Sequence, residues 1–594
     1  MKRIGVFVCH CGTNIAGTID VPRVIEEIAK FPEVVYAVDY KYMCSDPGQQ
    51  LIRDHIAADG LDAVIVAACS PAMHETTFRR AAESAGLNPY QAEIANIREQ
   101  SSWVHQQEQE AATNKAIETI RTIVAKAHYN ESLIPFHLPL VKRGLVIGGG
   151  IAGLQAALDI AQAGYPVVLV EKADQLGGRM AELSGLYLNL DSSADPLGKK
   201  IEAVKSHPNI QVLTGSEVVG VGGYVGNFSV QVDKSPADEG PVSGEAQSSA
   251  VKRSPPAPSF SPQRFTFDVG AIVIATGYDL YDKRKLGEYG GGRYPDVIDG
   301  LQFEAMLRPD GPTGGRIVRP SDGRVPKEIV WVQCAGSRDP ELHMPHCSKV
   351  CCMYVAKQAT LFKQRVPDGQ ATVFYIDIRS QGKGYEEFVQ RAMEEYDVLY
   401  VRGKASKVFQ ENGRATVWGV DTLTGLPIEV EADLVVLATA TVPRAGAMEL
   451  GQRLHVSVDE HGFFSEAHPK LRPVESLTAG VFLAGAAQFP KDIPETVAQA
   501  SGAAAKVLGL FSQRQMVQEP TIAFVDAEIC SGCGLCIPSC PYDARSMHEW
   551  RHIATVNTAL CQGCGACTMI CPNKACKLRN LAPIQVLSMM EAYL

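Results

Sequence analysis

The sequence predicts an α/β fold: a double dinucleotide-binding core, preceded by a further α/β domain and followed by a small α+β domain of the two-cluster ferredoxin type. Three observations carry this. Apolar strands alternate with amphipathic helices through most of the chain, the pattern of parallel sheets covered by helices. A glycine-rich turn joins strand to helix inside Leu145–Glu171. The cysteines, all but Cys576, fall into four sets of four.

In Leu145–Glu171 an apolar run (Leu145, Val146, Ile147) meets Gly148-x-Gly150-x-x-Gly153. A helix-patterned segment follows, opened by Ile151 and Ala152, and a second apolar run, Val167 to Val170, ends on Glu171 and Lys172. The glycines serve the tight turn, the close approach of backbone to a pyrophosphate, and helix–strand packing. The free N–H groups of the helix N-terminus face the phosphates. Glu171 falls where an acidic residue accepts the ribose hydroxyls. The glycines alone are a weak signal; strand, glycines, helix, strand and acid in register outweigh an accidental glycine-rich loop.

At 594 residues the length accommodates about four domains with large buried cores. Apolar and charged fractions of 46% and 21% are those of an ordinary globular protein. A formal net charge of -10 argues against nucleic acid as a partner. No apolar run approaches the ~18 residues of a membrane span. The opening MKRIGVFVCHCG reads as a strand running into a cysteine pair, not as a basic leader, so a cytoplasmic location is expected. In a reducing compartment, seventeen cysteines point to metal binding or redox chemistry rather than to structural bridges.

Residues 1–130 are expected to form the N-terminal α/β iron–sulfur domain, with strands near residues 4–8, 34–38 and 63–67. Cys9 and Cys11 follow the first strand, Cys44 lies past the second and Cys69 ends the third. Ligands gather outside the carboxyl ends of such strands, so four thiols would share one edge. A cluster is the favoured reading, zinc the next, and singly buried cysteines the bland alternative. Residues 131–143, with two prolines and little periodicity, read as a linker. The FAD-binding domain is expected over 144–326 and again over 433–515. Leu176-Gly177-Gly178-Arg179 supplies a second backbone approach to the cofactor, and the strand over 269–274 ends in Ala275-Thr276-Gly277. The stretch 234–263 is rich in Pro, Ser and Ala and reads as a mobile excursion.

A second alternating unit is expected over 327–432. Where a nicotinamide-binding domain would place its glycines, this chain has Cys334-Ala335-Gly336-Ser337-Arg338. Cys347 and Cys351 are four apart, a spacing that puts both on one helix face, with Cys352 adjacent. A cluster at a helix N-terminus would have its negative charge favoured by the dipole; the alternative is a vicinal cysteine pair packed in a core. Composition alone reads Lys383, in Arg379–Glu387, as solvated. Gly485 closes another strand, and Lys491-Asp492-Ile493-Pro494 turns into an Ala/Gly-rich helix that returns to the dinucleotide domain.

Residues 521–594 contain CSGCGLCIPSCP and CQGCGACTMICP, both of the two-cluster ferredoxin form in which each fourth cysteine ligates the other cluster. That rule assigns Cys530, Cys533, Cys536 and Cys571 to one cube, and Cys561, Cys564, Cys567 and Cys540 to its partner. Paired C-x2-C arms, the usual zinc arrangement, are not what these runs offer.

Taken together, the CHCG start, GGGIAGLQAA with LGGRMAEL, FDVGAIVIATGYD, the QCAGSRD…HCSKVCCMY block, GKGYEEF and AGAAQFPKDIPETVAQASGAA resemble the A subunit of heterodisulfide reductase over nearly the whole chain. The resemblance implies a thioredoxin-reductase-like fold holding FAD, and 4Fe-4S clusters on Cys334, Cys347, Cys351 and Cys352 and on the N-terminal cysteines. It implies a homodimeric core, with partner subunits that reduce a disulfide or supply electrons. It further implies that Lys383, at the flavin N5 edge, is the catalytic residue. Family members of this kind perform flavin-based electron bifurcation: a donor reduces FAD by two electrons, one then passing uphill to ferredoxin and one downhill to a disulfide. One departure stands out. The methanogen form has a further ferredoxin module where this chain has the Pro/Ser-rich stretch 234–263, which puts the usual low-potential exit in question. Two other readings are a non-bifurcating electron-relay and docking subunit, and an NAD(P)H-dependent flavin oxidoreductase, the latter disfavoured by the missing second glycine motif.

Overall fold

The computed structural model describes residues 2–235, 263–411 and 413–594. The chain divides into two compact units, residues 1–138 with 515–594, and residues 139–514.

The first unit holds a parallel sheet in the order Val34–Tyr40, Ile4–Cys9, Ala63–Ala68, Ala92–Asn96. The strand Ile4–Cys9 is buried on both faces, as its uninterrupted apolar run requires. Val6 and Val8 meet Val24, Ile28, Ala116 and Ile120 of two helices, while Phe7 and Cys9 share the other core with Ile52, Ile56, Phe78 and Ala82. Asp20 and Ser45 cap the helices Val21–Ile28 and Asp46–Ala58, accepting from the backbone N–H of Arg23 and Gly48, with a proline in each first turn.

The carboxyl-terminal part of this unit is two small antiparallel pairs, Ala523–Val525 with Cys576–Leu578 and Arg545–Met547 with Ala554–Val556. Its last helix, Pro583–Tyr593, lies along Gln109–His128, where Ser588 Oγ and Gln585 Nε2 donate to the carbonyls of Ala125 and Tyr129. Phe136–Leu138, inside the stretch read as a linker, pairs antiparallel with Met516–Gln518.

The second unit repeats one plan twice. A seven-stranded sheet runs Glu466–His468, Arg472–Ser476, Val481–Leu483, Ala271–Ile274, Gly144–Ile147, Val167–Val170, Ile210–Leu213, its last five strands parallel. Helices Ile151–Gln162 and Ile493–Phe511 pack on one face; the antiparallel strands Ser216–Tyr224, Asn227–Lys234 and Gln263–Val269 cover the other. The second sheet is parallel, in the order Val297–Asp299, Leu434–Thr439, Glu328–Ala335, Gln370–Tyr375, Leu399–Arg402. Helices Gly300–Leu307, Cys351–Arg365 and Tyr385–Glu394 cover one side, and the antiparallel strands Lys407–Glu411, Arg414–Asp421 and Leu426–Ala432 the other.

The expected boundaries at 327 and 433 do not follow these sheets. Val297–Asp299 and Leu434–Thr439 both belong to the second one, where Leu434–Thr439 hydrogen-bonds to Glu328–Ala335 and Val297–Asp299. Both sheets contain an apolar strand that reaches an Ala-Thr pair, so the echo in sequence marks the repeated plan rather than membership of the first sheet. The expected excursion at 234–263 lies, apart from its ends, outside the described residues; Lys234 and Gln263 themselves are cross-strand partners.

Candidate cofactor and cluster sites

A cavity of about 460 Å³ opens at the carboxyl ends of the seven-stranded sheet, where α/β sheets bind their ligands. Gly148, Gly150, Ile151 and Ala152 line it from the first turn, Glu171 and Lys172 from the end of the next strand, Gly178 and Arg179 from the loop beyond, and Ala275, Thr276 and Gly277 from a third strand end. The glycine chemistry is steric. Gly148 has φ +112°, and a Cβ there would stand 2.3 Å from the Ala275 carbonyl oxygen; one at Gly153 would stand 1.8 Å from the carbonyl oxygen of Gly148. Gly153 and Gly177 therefore shape the turn from behind, and neither lines the cavity. Glu171 turns its carboxylate to the loop, accepting from the N–H of Gly149 at 2.5 Å and of Ala173 at 2.7 Å. The Thr276 hydroxyl is buried in the lining without a partner, and buried polar groups of this kind ordinarily have one. Unpaired hydroxyl, side-chain-free loop and helix N-terminus fit the phosphates and ribose of a dinucleotide. Arg179 ion-pairs with Glu182 and Asp279, both at 2.8 Å.

The far wall brings Lys491, Asp492 and Ile493 to the cavity. Asp492 caps helix Ile493–Phe511 by accepting from the Glu495 N–H, and it accepts from the buried Tyr385 hydroxyl at 2.7 Å. The Tyr187 ring meets Tyr385 edge-on, centroids 5.3 Å apart. Burial, with Lys349 nearby, pushes the Lys491 ammonium down to about 8. Pro494 and Gly485 stand outside the lining; Gly485, at φ +68°, backs onto Ala152 and Thr496. Lys383 is exposed and does not line the cavity; two positions on, Tyr385 opens the helix Tyr385–Glu394 and bonds the lining residue Asp492.

Sequence reasoning missed the most buried charges of the lining. Glu304 and Lys357, each about 2% exposed or less, ion-pair at 2.8 Å. Ser184 and Gln358 donate to the Glu304 carboxylate, and Lys357 donates to the Gly185 carbonyl. Burial opposes the ionised Glu304, but Lys357 and these donors outweigh it and hold the carboxyl below its ordinary range. Neither residue belongs to a motif, and they are 53 positions apart.

Helix Cys351–Arg365 links this cavity to a cysteine set: Tyr354, Lys357 and Gln358 line the cavity, while Cys351 and Cys352 begin the helix. Cys334 sits in the strand Glu328–Ala335 at φ +57°, and it, Cys351 and Cys352 are all buried. Cys347 is not on the helix face that its spacing suggests. Lys349 adopts φ +60° and the helix starts only at Cys351, so Cys347 lies in the preceding loop, where its sulfur accepts from the Lys349 N–H at 3.3 Å.

In the first unit Cys9 ends its strand, and Cys11, Cys44 and Cys69 follow theirs, on the carboxyl edge of the sheet. The Cys9 sulfur accepts from the N–H groups of Cys11 (3.3 Å) and Met43 (3.4 Å), and Arg98 donates to Cys11 at 3.4 Å. In the carboxyl-terminal part, Cys540, Cys561, Cys564 and Cys567 line one small cavity. Backbone N–H groups of Ala554, Ala544 and Ala523 point at the sulfurs of Cys530, Cys540 and Cys561. Cys536, Cys571 and Cys576 are buried in one cluster, and Cys533 is exposed. Among the described residues no three His, Cys, Asp or Glu close around the point one metal ion would occupy. A cube is larger than an ion, and N–H donors to sulfur are among the features that tune one. No described helix is long and apolar enough to cross a membrane.

Residues 142–300 match the pyridine nucleotide-disulphide oxidoreductase family and residues 529–575 the 4Fe-4S dicluster domain. The second iron-sulfur A subunit of the CoB--CoM heterodisulfide reductase of Methanopyrus kandleri is 44% identical over 601 residues, covering 92% of this chain and 91% of that protein. The A subunit of the H(2):CoB-CoM heterodisulfide,ferredoxin reductase of Methanothermobacter thermautotrophicus is 42% identical over 603 residues, with the same two shares. A protein of Archaeoglobus profundus that is itself like the heterodisulfide reductase A subunit is 40% identical over 648 residues, again covering 92% and 91%.

Proposed function

The chain belongs to the family of heterodisulfide reductase A subunits, and we propose that it is the FAD-holding member of such a complex, taking up electron pairs and splitting them between a disulfide-reducing partner and ferredoxin. It is an oxidoreductase, an iron–sulfur flavoprotein by its two family matches. The observation that carries the finer reading is the helix Cys351–Arg365, which starts on two cysteines and within two turns lines the cavity with Tyr354, Lys357 and Gln358.

When bound, FAD supplies the exchange between paired and single electrons that the protein scaffold cannot. The residues do the rest. Gly148, Gly150 and the N–H groups of Ile151 and Ala152 take the phosphates, with Gly178 opposite; Glu171 takes the ribose. Lys491, Asp492 and Tyr187 close the ring end; Lys383, exposed outside the lining, would reach it by a shift of the loop that precedes Tyr385. Thiolates at Cys334, Cys347, Cys351 and Cys352, at the four N-terminal positions, and in the two ferredoxin-type runs hold four 4Fe-4S clusters. Cysteines grouped in this way suit a reducing, cytoplasmic setting, in which thiols stay free to bind metal. We assign the chain a homodimeric place in the complex, with electron-donating and disulfide-reducing subunits beside it. The relatives' matched spans are longer than the part of this chain they cover, which supports an insertion in them that this chain lacks.

The test is the native complex, purified without oxygen. Copurifying disulfide-reducing and donor subunits are expected, together with ferredoxin reduction that proceeds only while the disulfide is being reduced. Ferredoxin reduction indifferent to the disulfide, or none, would leave a plain electron relay.

A further inference from the structure

Arg545 opens the strand Arg545–Met547 and is 6% exposed. Its Nη2 donates to the Cys567 sulfur at 2.7 Å, and its Nη1 is buried with no partner. The ionisable groups that act on it most strongly are the sulfurs of Cys567, Cys576 and Cys536, and among the described residues it forms no ion pair with a carboxylate. Cys567 belongs to one ferredoxin-type set and Cys536 to the other, so the guanidinium stands between them. Two other cysteine sets also have an arginine beside a sulfur, but those charges are neutralised locally: Arg98, at Cys11, pairs with Glu99 at 2.6 Å, and Arg338, beside Cys334, pairs with Asp377 at 2.7 Å.

A buried guanidinium without a counter-ion is one of the costliest arrangements in a protein interior. It is stable where negative charge faces it, and neutral thiols supply none. Four thiolates around an iron–sulfur cube do, and each further electron adds one negative charge for the guanidinium to stabilise. Net charge and hydrogen bonds to the sulfurs are the levers by which a protein sets cluster potential.

We infer that Arg545 is the counter-charge of the ferredoxin-type pair, raising the reduction potential of the cube held by Cys540, Cys561, Cys564 and Cys567 and making it an electron-accepting end of the chain. This rests on the reading of those cysteines as cube ligands. The role is one of tuning: Arg545 touches a ligand sulfur, not a reacting substrate.

The full chain, purified anaerobically, is titrated potentiometrically with the reduced clusters read by electron paramagnetic resonance, for the wild type, Arg545→Gln and Arg545→Lys, with iron counted in each. Arg545→Gln is expected to lower the midpoint of one ferredoxin-type cube by at least a tenfold shift of its one-electron equilibrium, about 59 mV, while Arg545→Lys holds it near the wild-type value. An Arg545→Gln chain with full iron and unmoved midpoints overturns the inference. If Arg545→Gln sheds a cube, restoration of that iron by Arg545→Lys supports the charge role, and its failure contradicts it. A wild type without cube signals would sink the cluster reading itself, and this inference with it.

Discussion

The Tyr385 hydroxyl donates to the Asp492 carboxylate at 2.7 Å, and both residues are buried. This bond joins the helix after the Lys383 loop to the cap of the helix that closes the dinucleotide sheet. Tyr385→Phe leaves one carboxylate oxygen without its donor while the cap bond to Glu495 survives. The expected cost is about 1–3 kcal/mol, seen as a lowered melting temperature, together with weaker retention of flavin through gel filtration. An unchanged melt and full flavin content would show that the bond positions nothing.

Gly153→Ala should abolish flavin binding without touching the cavity directly. The added methyl would stand 1.8 Å from the Gly148 carbonyl oxygen and 3.3 Å from Val146 Cγ1, so the turn must open or the helix must leave the strand. Flavin absorbance per chain measures this. The control is Gly164→Ala in the same segment: its Cβ meets nothing within 4 Å, though its φ of +92° predicts a modest loss of stability.

The Glu304–Lys357 pair predicts a strongly non-additive double-mutant cycle. Lys357→Met strands a buried carboxylate and should cost about 3–5 kcal/mol, whereas Glu304→Gln with Lys357→Met should recover most of that loss. The pH dependence has a definite sign. Glu304 titrates below its ordinary 4.5 in the folded chain, so its contribution is complete above pH 4.5 and is lost as pH falls toward the folded value. Additive single-mutant effects would refute the coupling.

Lys491 predicts the opposite edge. With its ammonium held near 8 rather than 10.5, the unfolded chain binds a proton that the folded chain lacks between those values, so stability rises with pH across that window. Melting temperatures of the flavin-free wild type should gain on those of Lys491→Met from pH 8 to 10. Parallel curves would place Lys491 in water.

What the sequence disclosed was local. Gly148, Gly150 and Glu171 are read within one strand–turn–helix–strand, and the cysteines at 530–540 and 561–571 within two short runs, so their spacing carries the information. Contacts across the fold were not legible. Glu304 and Lys357 meet only because two helices share a face of the second sheet, and Leu434–Thr439 joins that sheet by long-range pairing with Glu328–Ala335. The misplaced helix start has a backbone cause: the left-handed Lys349 delays the helix to Cys351 and sets Cys347 apart, and a non-glycine residue gives little warning of that conformation. The resemblance puts Lys383 at the cofactor, yet the nearby side chain bonded to a lining residue is Tyr385, two positions on at the start of the next helix, through Asp492.

One flavin and four 4Fe-4S cubes per chain are what we propose. The most direct test is the iron, sulfide, zinc and flavin content of the full chain isolated without oxygen. One flavin and about sixteen irons per chain, four for each of four cubes, are predicted; a colourless protein, its cysteines holding zinc or one another, would contradict it.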